Sequence, residues 1–230
     1  MSKAEKGRNR RRKGQELVEF SITALMLAGL LVGAFVTGMN LIRSIQVNQV
    51  CRDLDNMYIH GADFSTYSMQ QLAQRLATGL NLQIGSTFTG NSATNTSNTG
   101  NALVTLSRVM YVGSTTSPNC AAVGAGSCTN ANSFVFTQRI QFGNGTLANT
   151  KPSTLGNPST SAISTAGVIA NPVTDAGAKL PTAAQASFTA LWKTALQDGQ
   201  VCYVAEFYEQ SSDLTLGSFV GGSVYARSFF

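Results

Sequence analysis

The longest hydrophobic run sets the reading of the chain. From Phe20 to Ile42 stand 23 residues without a charge. At about 1.5 Å per residue a helix of that length spans roughly 35 Å, enough to cross a hydrocarbon layer of about 30 Å. Beyond it Val47, Val50, Leu54 and Met57 recur at three- and four-residue steps, with Arg52, Asp53, Asp55 and Asn56 largely elsewhere. This period predicts that the helix continues as an amphipathic stalk to about Tyr58, with Gly61 as its stop. A second short helix is expected where Ser68 and Gln71 resemble a capping box, its face formed by Met69, Leu72, Leu76 and Leu80.

The pattern then changes. Residues 85–101 (GSTFTGNSATNTSNTGN) are too polar to form a core and read as a loop. ALVTLSRVMYV (102–112) and SFVFTQRIQF (133–142) read as strands; in the second, Phe134, Phe136, Ile140 and Phe142 alternate with polar positions, Gln138 excepted. The stretch 143–181, rich in Gly, Pro, Ser, Thr and Asn, reads as irregular, and its length suggests a functional surface. A helix is expected over 181–199, with Thr182 as cap, Gly199 as stop and a face of Phe188, Leu191, Trp192 and Ala195. VCYVAEFYE (201–209) and SFVGGSVYARSFF (218–230) close the chain as two further strands. The expected class is α+β, a long N-terminal helix lying against a small antiparallel β-sheet.

Charge sharpens this outline. Residues 1–14 hold seven Lys/Arg against Glu5, whereas residues 15–230 hold nine basic and ten acidic groups, so the whole excess of the +5 chain lies in the leader. A basic cluster can bind nucleic acid, but this one abuts an apolar run, where basic flanks mark the cytoplasmic side. The expectation is therefore a single-pass protein without a nucleic-acid partner: a cytoplasmic leader (1–14), a transmembrane and stalk helix (15–60) and an extracytoplasmic domain with long polar loops (61–230).

Cys51, Cys120, Cys128 and Cys202 all fall on the exported side, where disulfides persist. Three pairings are open to four cysteines. The favoured one closes a short loop through Cys120–Cys128, stapling the tip of a hairpin, and ties the stalk to the domain through Cys51–Cys202. No cysteine pair has the close spacing of a metal site, so neither metal nor cofactor is expected.

Other motifs are weaker. Gly29 and Gly33 form a GxxxG that lets helices approach closely in lipid, although a Gly-rich run produces the pattern by chance. His60 reads as a helix-end residue and Asp53 and Asp55 as solvated. Glu206 and Glu209 form a carboxylate pair with nothing beside them to suggest glycoside chemistry. Asn95 and Asn144 lie in glycosylation sequons. Nucleophile-elbow, zinc-protease and phosphate-loop motifs are absent from the sequence, so no enzyme is expected.

One feature remains: Glu19 sits one residue before the apolar run. A carboxylate at a helix start favours the positive end of the macrodipole, which would account for it. However, Gly14-Gln-Glu-Leu-Val-Glu19-Phe20, with a basic leader before and an uncharged helix after, resembles the processing signature of type IV prepilins. The resemblance implies a pilin-like fold and cleavage after Gly14 by a membrane-embedded prepilin peptidase. Gln15 becomes the new N-terminus, and Glu19, its fifth residue, neutralises the new ammonium group or that of a neighbouring subunit. GQELVEF and the closing VAEFYEQ and VYARSFF are most similar to the TadE-like minor pilins, or pseudopilins, of tight-adherence pili. The apolar run departs from that pattern in lacking a proline near its middle. On this resemblance the partners are the peptidase, other pilin or pseudopilin subunits, the assembly platform and membrane lipid. The protein would lie in the cytoplasmic membrane or in a surface pilus used for adhesion or secretion. The alternative is a signal-anchored extracytoplasmic binding module that no prepilin peptidase cuts.

Overall fold

The computed structural model describes residues 3–159, 161–192, 195–210 and 222–230, with residues 3–14 as backbone only. Residues 193–194 of the expected third helix and 218–221 of the expected last strand lie outside the described residues. The architecture is α+β: a long N-terminal helix and a small five-stranded sheet.

Helix α1 runs without a break over Lys3–Ile59, through a segment that contains no proline. It stops where expected. Gly61 takes a left-handed φ of +87°, its N–H bonds to the Tyr58 carbonyl at 3.2 Å, and the Ala62 N–H reaches the Met57 carbonyl at 3.0 Å. Those two bonds are a Schellman motif, and only glycine enters its left-handed position without steric cost. By contacts the chain divides into two compact units between Ile42 and Arg43.

In the first unit the helix leaves large apolar side chains such as Leu17, Phe20, Leu25 and Phe35 exposed. By length and composition α1 can cross a membrane from Gln15 onward. The hydroxyls in this stretch are satisfied within the helix. Ser21 donates to the Leu17 carbonyl, Thr23 to Glu19 and Thr37 to Gly33, each at 2.8 Å. None of these three needs water, as a lipid environment requires.

The second unit is built on the sheet, in the order β1-β3-β2-β4-β5. β2 (Ala102–Val112) is central and runs antiparallel to β3 (Ser133–Asn144) and to β4 (Val201–Gln210). β5 (Ser223–Phe229) pairs antiparallel with β4. The sheet is mixed rather than wholly antiparallel, because β1 (Thr94–Ser97) pairs parallel with β3. That strand comes from the stretch expected to be a loop. Its polar residues find partners instead of a core, as when Asn95 Nδ2 donates to Gln70 Oε1 at 2.8 Å.

Both faces of the sheet are covered. On one, Val47, Cys51, Leu54 and Tyr58 of α1 pack with Val104, Leu106, Ile140, Phe142, Ala205 and Phe207. On the other, Val109, Phe134, Phe136, Cys202 and Val204 pack beneath Leu155, Ile169, Leu180 and Phe188. A bulge in β3 explains the odd pattern of its sequence. Arg108 pairs with Gln138 but Val109 pairs with Phe136, leaving Thr137 as an extra residue. Facing therefore inverts at Thr137: Phe134 and Phe136 point to one core, Ile140 and Phe142 to the other.

The irregular stretch after β3 forms the second cover. It contains α4 (Gly145–Thr150), capped by Asn144, whose Oδ1 accepts from Thr146 N at 2.8 Å and Leu147 N at 3.1 Å. It then seals the edge of β3 beyond β1. Arg139 N donates to Gly167 O at 2.9 Å, Ile169 N to Thr137 O at 3.0 Å and Leu180 N to Phe134 O at 3.1 Å. Gly167, at φ +77°, lies so close that a Cβ there would collide with the Arg139 carbonyl oxygen.

One helix buries another face than its periodicity suggests, and another keeps part of the expected face. α2 (Tyr67–Leu76) buries Gln70 and Ala73 and leaves Leu72 and Leu76 exposed; its N-cap position is Thr66, not Ser68. α5 is described over Thr182–Trp192 and sets Phe188 and Trp192 of the expected face against the core together with Ala184, while Leu191 is exposed. The β2–β3 connector carries the expected staple: Cys120 and Cys128 are disulfide-bonded, with Cα atoms 5.1 Å apart, and Cys120 itself stands in α3 (Pro118–Val123). The second expected bridge is not formed. Cys51 and Cys202 are both free and buried. Cys51 packs in the core under α1 and Cys202 in the core on the other side, so the sheet stands between them.

Candidate functional site

The Gly14–Gln15 bond lies within α1. One turn on, Gln15 Nε2 donates to Glu19 Oε1 at 3.1 Å, and both side chains are exposed. The i, i+4 spacing brings Glu19 within reach of the group at position 15, as helix geometry requires. Phe20 follows, fully outside any core. A Cβ built on Gly29 or Gly33 meets nothing within 4 Å. Among the described residues, then, no packing demands those glycines.

Buried charge occurs at three places in the body: the Arg43–Glu209 pair, the Arg139–Glu206 pair and Asp55. Arg43 is the first charged residue after the apolar run, and its Nη1 lies 2.6 Å from Glu209 Oε1, which β4 carries toward α1. On the opposite face of the same strand, Glu206 accepts from Thr154 N at 3.0 Å, Thr154 Oγ1 at 2.6 Å and Tyr225 OH at 2.7 Å, and from the Ser153 hydroxyl. Arg139 Nη1 stands 3.8 Å from Glu206 Oε2 and donates to Ser107 Oγ at 2.5 Å. Its Nη2 donates to Gly156 O at 2.9 Å and Asn157 Oδ1 at 2.8 Å. Burial pushes the Arg139 guanidinium down to about 10 against the pull of Glu206, so it stays cationic at neutral pH. Together the pair fastens the 151–157 segment to β3 and β4.

Asp55 is the third group. It lies on the buried stripe of α1, one turn after Cys51, and is fully buried. No donor meets its oxygens at full hydrogen-bonding geometry. Burial pushes its carboxyl up to about 6, with Ser228 and the Ala205 backbone close enough to pull it partly back. The expectation of a solvated residue holds for Asp53, which is exposed, and fails for Asp55.

The remaining sequence candidates separate rather than converge. Glu206 and Glu209 point to opposite faces of β4, so they form no catalytic pair. His60 is exposed at the end of α1, with Nδ1 2.7 Å from the Asn56 carbonyl oxygen. Both sequon asparagines are engaged, Asn144 Nδ2 donating to Gly100 O at 2.7 Å and Asn95 to Gln70. Among the described residues no group of His, Cys, Asp or Glu could hold a metal ion. Sequence reasoning passed over Arg43 and Arg139. The signal was there for Arg139, a charge between Phe136 and Ile140 in a strand otherwise apolar on alternate positions. No family model, no curated protein and no solved structure matches this chain.

Proposed function

We propose that the chain is a prepilin-like membrane protein, cut after Gly14 and used to assemble a pilus for adhesion or secretion. Its nearest resemblance is to the TadE-like minor pilins of tight-adherence systems. The observation that carries this reading is the sequence around Glu19: a basic leader, Gly14, Gln15 and a carboxylate one helical turn later, at the lip of an exposed apolar helix. The short distance between Gln15 and Glu19 supports it. Cleavage removes all seven clustered cations and creates an α-ammonium at the edge of hydrocarbon. In a medium of low dielectric constant an unpaired charge is costly, so pairing with Glu19 of the same or a neighbouring subunit sets the register of bundled helices. The positive-inside rule places the leader in the cytoplasm and the sheet domain outside. The disulfide between Cys120 and Cys128 accords with export. On this reading the protein is structural and Glu19 is an assembly group, not a catalytic one.

The test is the intact mass and N-terminal sequence of the membrane-extracted protein, from cells with and without their prepilin peptidase. A mature chain starting at Gln15 only when the peptidase is present is the expected result. A bulky residue at Gly14 should leave the full-length form in the membrane. Glu19→Ala should be cleaved normally and yet fail to assemble. An uncut chain in both strains overturns the proposal and leaves a signal-anchored binding module.

A further inference from the structure

The C-terminal end of α1, the adjoining face of the sheet and the 163–169 turn enclose an open pocket of about 270 Å³, lined among others by Tyr58, Asp63, Arg108, Gln138, Val168 and Tyr203. That volume falls just under the range of about 300–1,000 Å³ that holds drug-sized ligands, so it suits a single small ring. Three arginines of the body are partly or wholly buried, and two of them, Arg43 and Arg139, meet a glutamate. Arg108 does not: among the described residues no carboxylate lies within 4.0 Å of it. Its Nε donates to Thr137 Oγ1 at 2.8 Å, which fixes the plane of the guanidinium, and its two terminal amino groups make no hydrogen bond among the described residues.

The rest of the lining is set in place. Tyr58 OH donates to Gln138 Oε1 at 2.9 Å and Gln138 Nε2 to Ala166 O at 3.0 Å, so one wall is held by its own hydrogen bonds. The rings of Tyr58 and Tyr203 meet edge to face, centroids 5.1 Å apart at 88°. Asp63 Oδ1 is engaged by the backbone N–H and hydroxyl of Ser65, at 3.0 and 2.6 Å, leaving Oδ2 as an acceptor. The pocket thus offers a two-pronged cation, an acceptor carboxylate and aromatic surface.

Each feature narrows the ligand. A guanidinium fork pairs best with a planar carboxylate. The Asp63 carboxylate disfavours a dianion such as phosphate and favours a ligand bearing hydroxyl donors. Tyrosine rings suit the C–H face of a saturated ring. We propose that this pocket binds one uronate-type sugar residue, its carboxylate on Arg108 and its hydroxyls on Asp63 and Tyr203. The site is independent of processing at Gly14, since the whole pocket lies beyond Arg43.

The experiment is calorimetric titration of the full chain in detergent micelles with sodium glucuronate, beside glucose, acetate and phosphate. Saturable binding of glucuronate, at least about tenfold tighter than any of the other three, is the expected result. Arg108→Gln should weaken glucuronate by at least about tenfold. Tyr203→Phe keeps the ring, holds the fold if Arg108→Gln does not, and should weaken binding by about threefold. Acetate or phosphate binding as well as glucuronate overturns the proposal. So does an absence of glucuronate binding by the wild-type chain, or unchanged affinity in both variants.

Discussion

Asp55 shows most plainly what a single position can conceal. In the sequence it reads as one of several polar residues off the apolar stripe of α1. Folded, it lies four residues after Cys51 and three before Tyr58, on the stripe itself, and is sealed under the sheet. The period was legible, but the stripe is rotated so that Cys51, Asp55 and Tyr58 take the centre and Val50 and Met57 the margin. Polarity is a poor guide when a neighbouring strand supplies the cover. The carboxyl is raised from its ordinary 3.8 to about 6 chiefly by burial. A carboxyl with a raised folded pKa binds its proton more tightly in the native state, so its ionisation opposes folding. Its contribution to stability should therefore be fullest below the ordinary carboxylate range and be lost as pH rises through about 6. Asp55→Asn should remove that slope and stabilise the domain at neutral pH by about 1 kcal/mol. Urea melts of the two proteins at matched pH values check both statements.

Among the elements, the strands were legible and their partners less so. β2, β4 and β5 lie where β-branched and aromatic runs stand, and the stapled hairpin of β2 and β3 follows from their adjacency and the two cysteines between them. The parallel strand β1 was hidden because Thr94–Ser97 carries no apolar residue; its place depends on the edge of β3. Similarly, the 143–181 stretch looks irregular because its apolar residues are scattered, yet Leu155, Ile169 and Leu180 all descend into one core. What secures its first half is Arg139 and Glu206. Arg139→Met leaves Glu206 buried without its cation and Gly156 and Asn157 without their donor. The expected cost is about 3–5 kcal/mol. Limited proteolysis should then cut first near residues 151–157, whereas the wild type resists there. Replacing Glu206 by Leu in the same chain should recover part of the loss, because two apolar side chains remove the unpaired charge as well as the pair.

At the scale of the whole molecule, the sequence conveyed the apolar helix, its continuation past the membrane-length run and the α+β class, because each rests on a long-range pattern. It conveyed the Cys120–Cys128 staple but not that Cys51 and Cys202 stay apart, since that depends on which side of the sheet each one faces. The two free thiols provide a check on the entire fold. Burial, reinforced by Asp55, pushes Cys51 and Cys202 up to about 12, so neither is a nucleophile at neutral pH. Alkylation followed by mass spectrometry should label no cysteine in the native protein, two after denaturation and four after denaturation with reductant. Labelling of neither Cys51 nor Cys202 in the denatured, unreduced chain would mean that they are joined after all. The Arg43–Glu209 contact has a mechanical meaning as well. Tension drawn along α1 from its N-terminal half arrives first at Arg43, and the 2.6 Å ion pair hands it to β4. That strand is hydrogen-bonded along both its edges, to β2 and to β5. The load is spread over two ladders before any loop has to carry it, which makes an inner strand of the sheet, not its rim, the anchor of the helix.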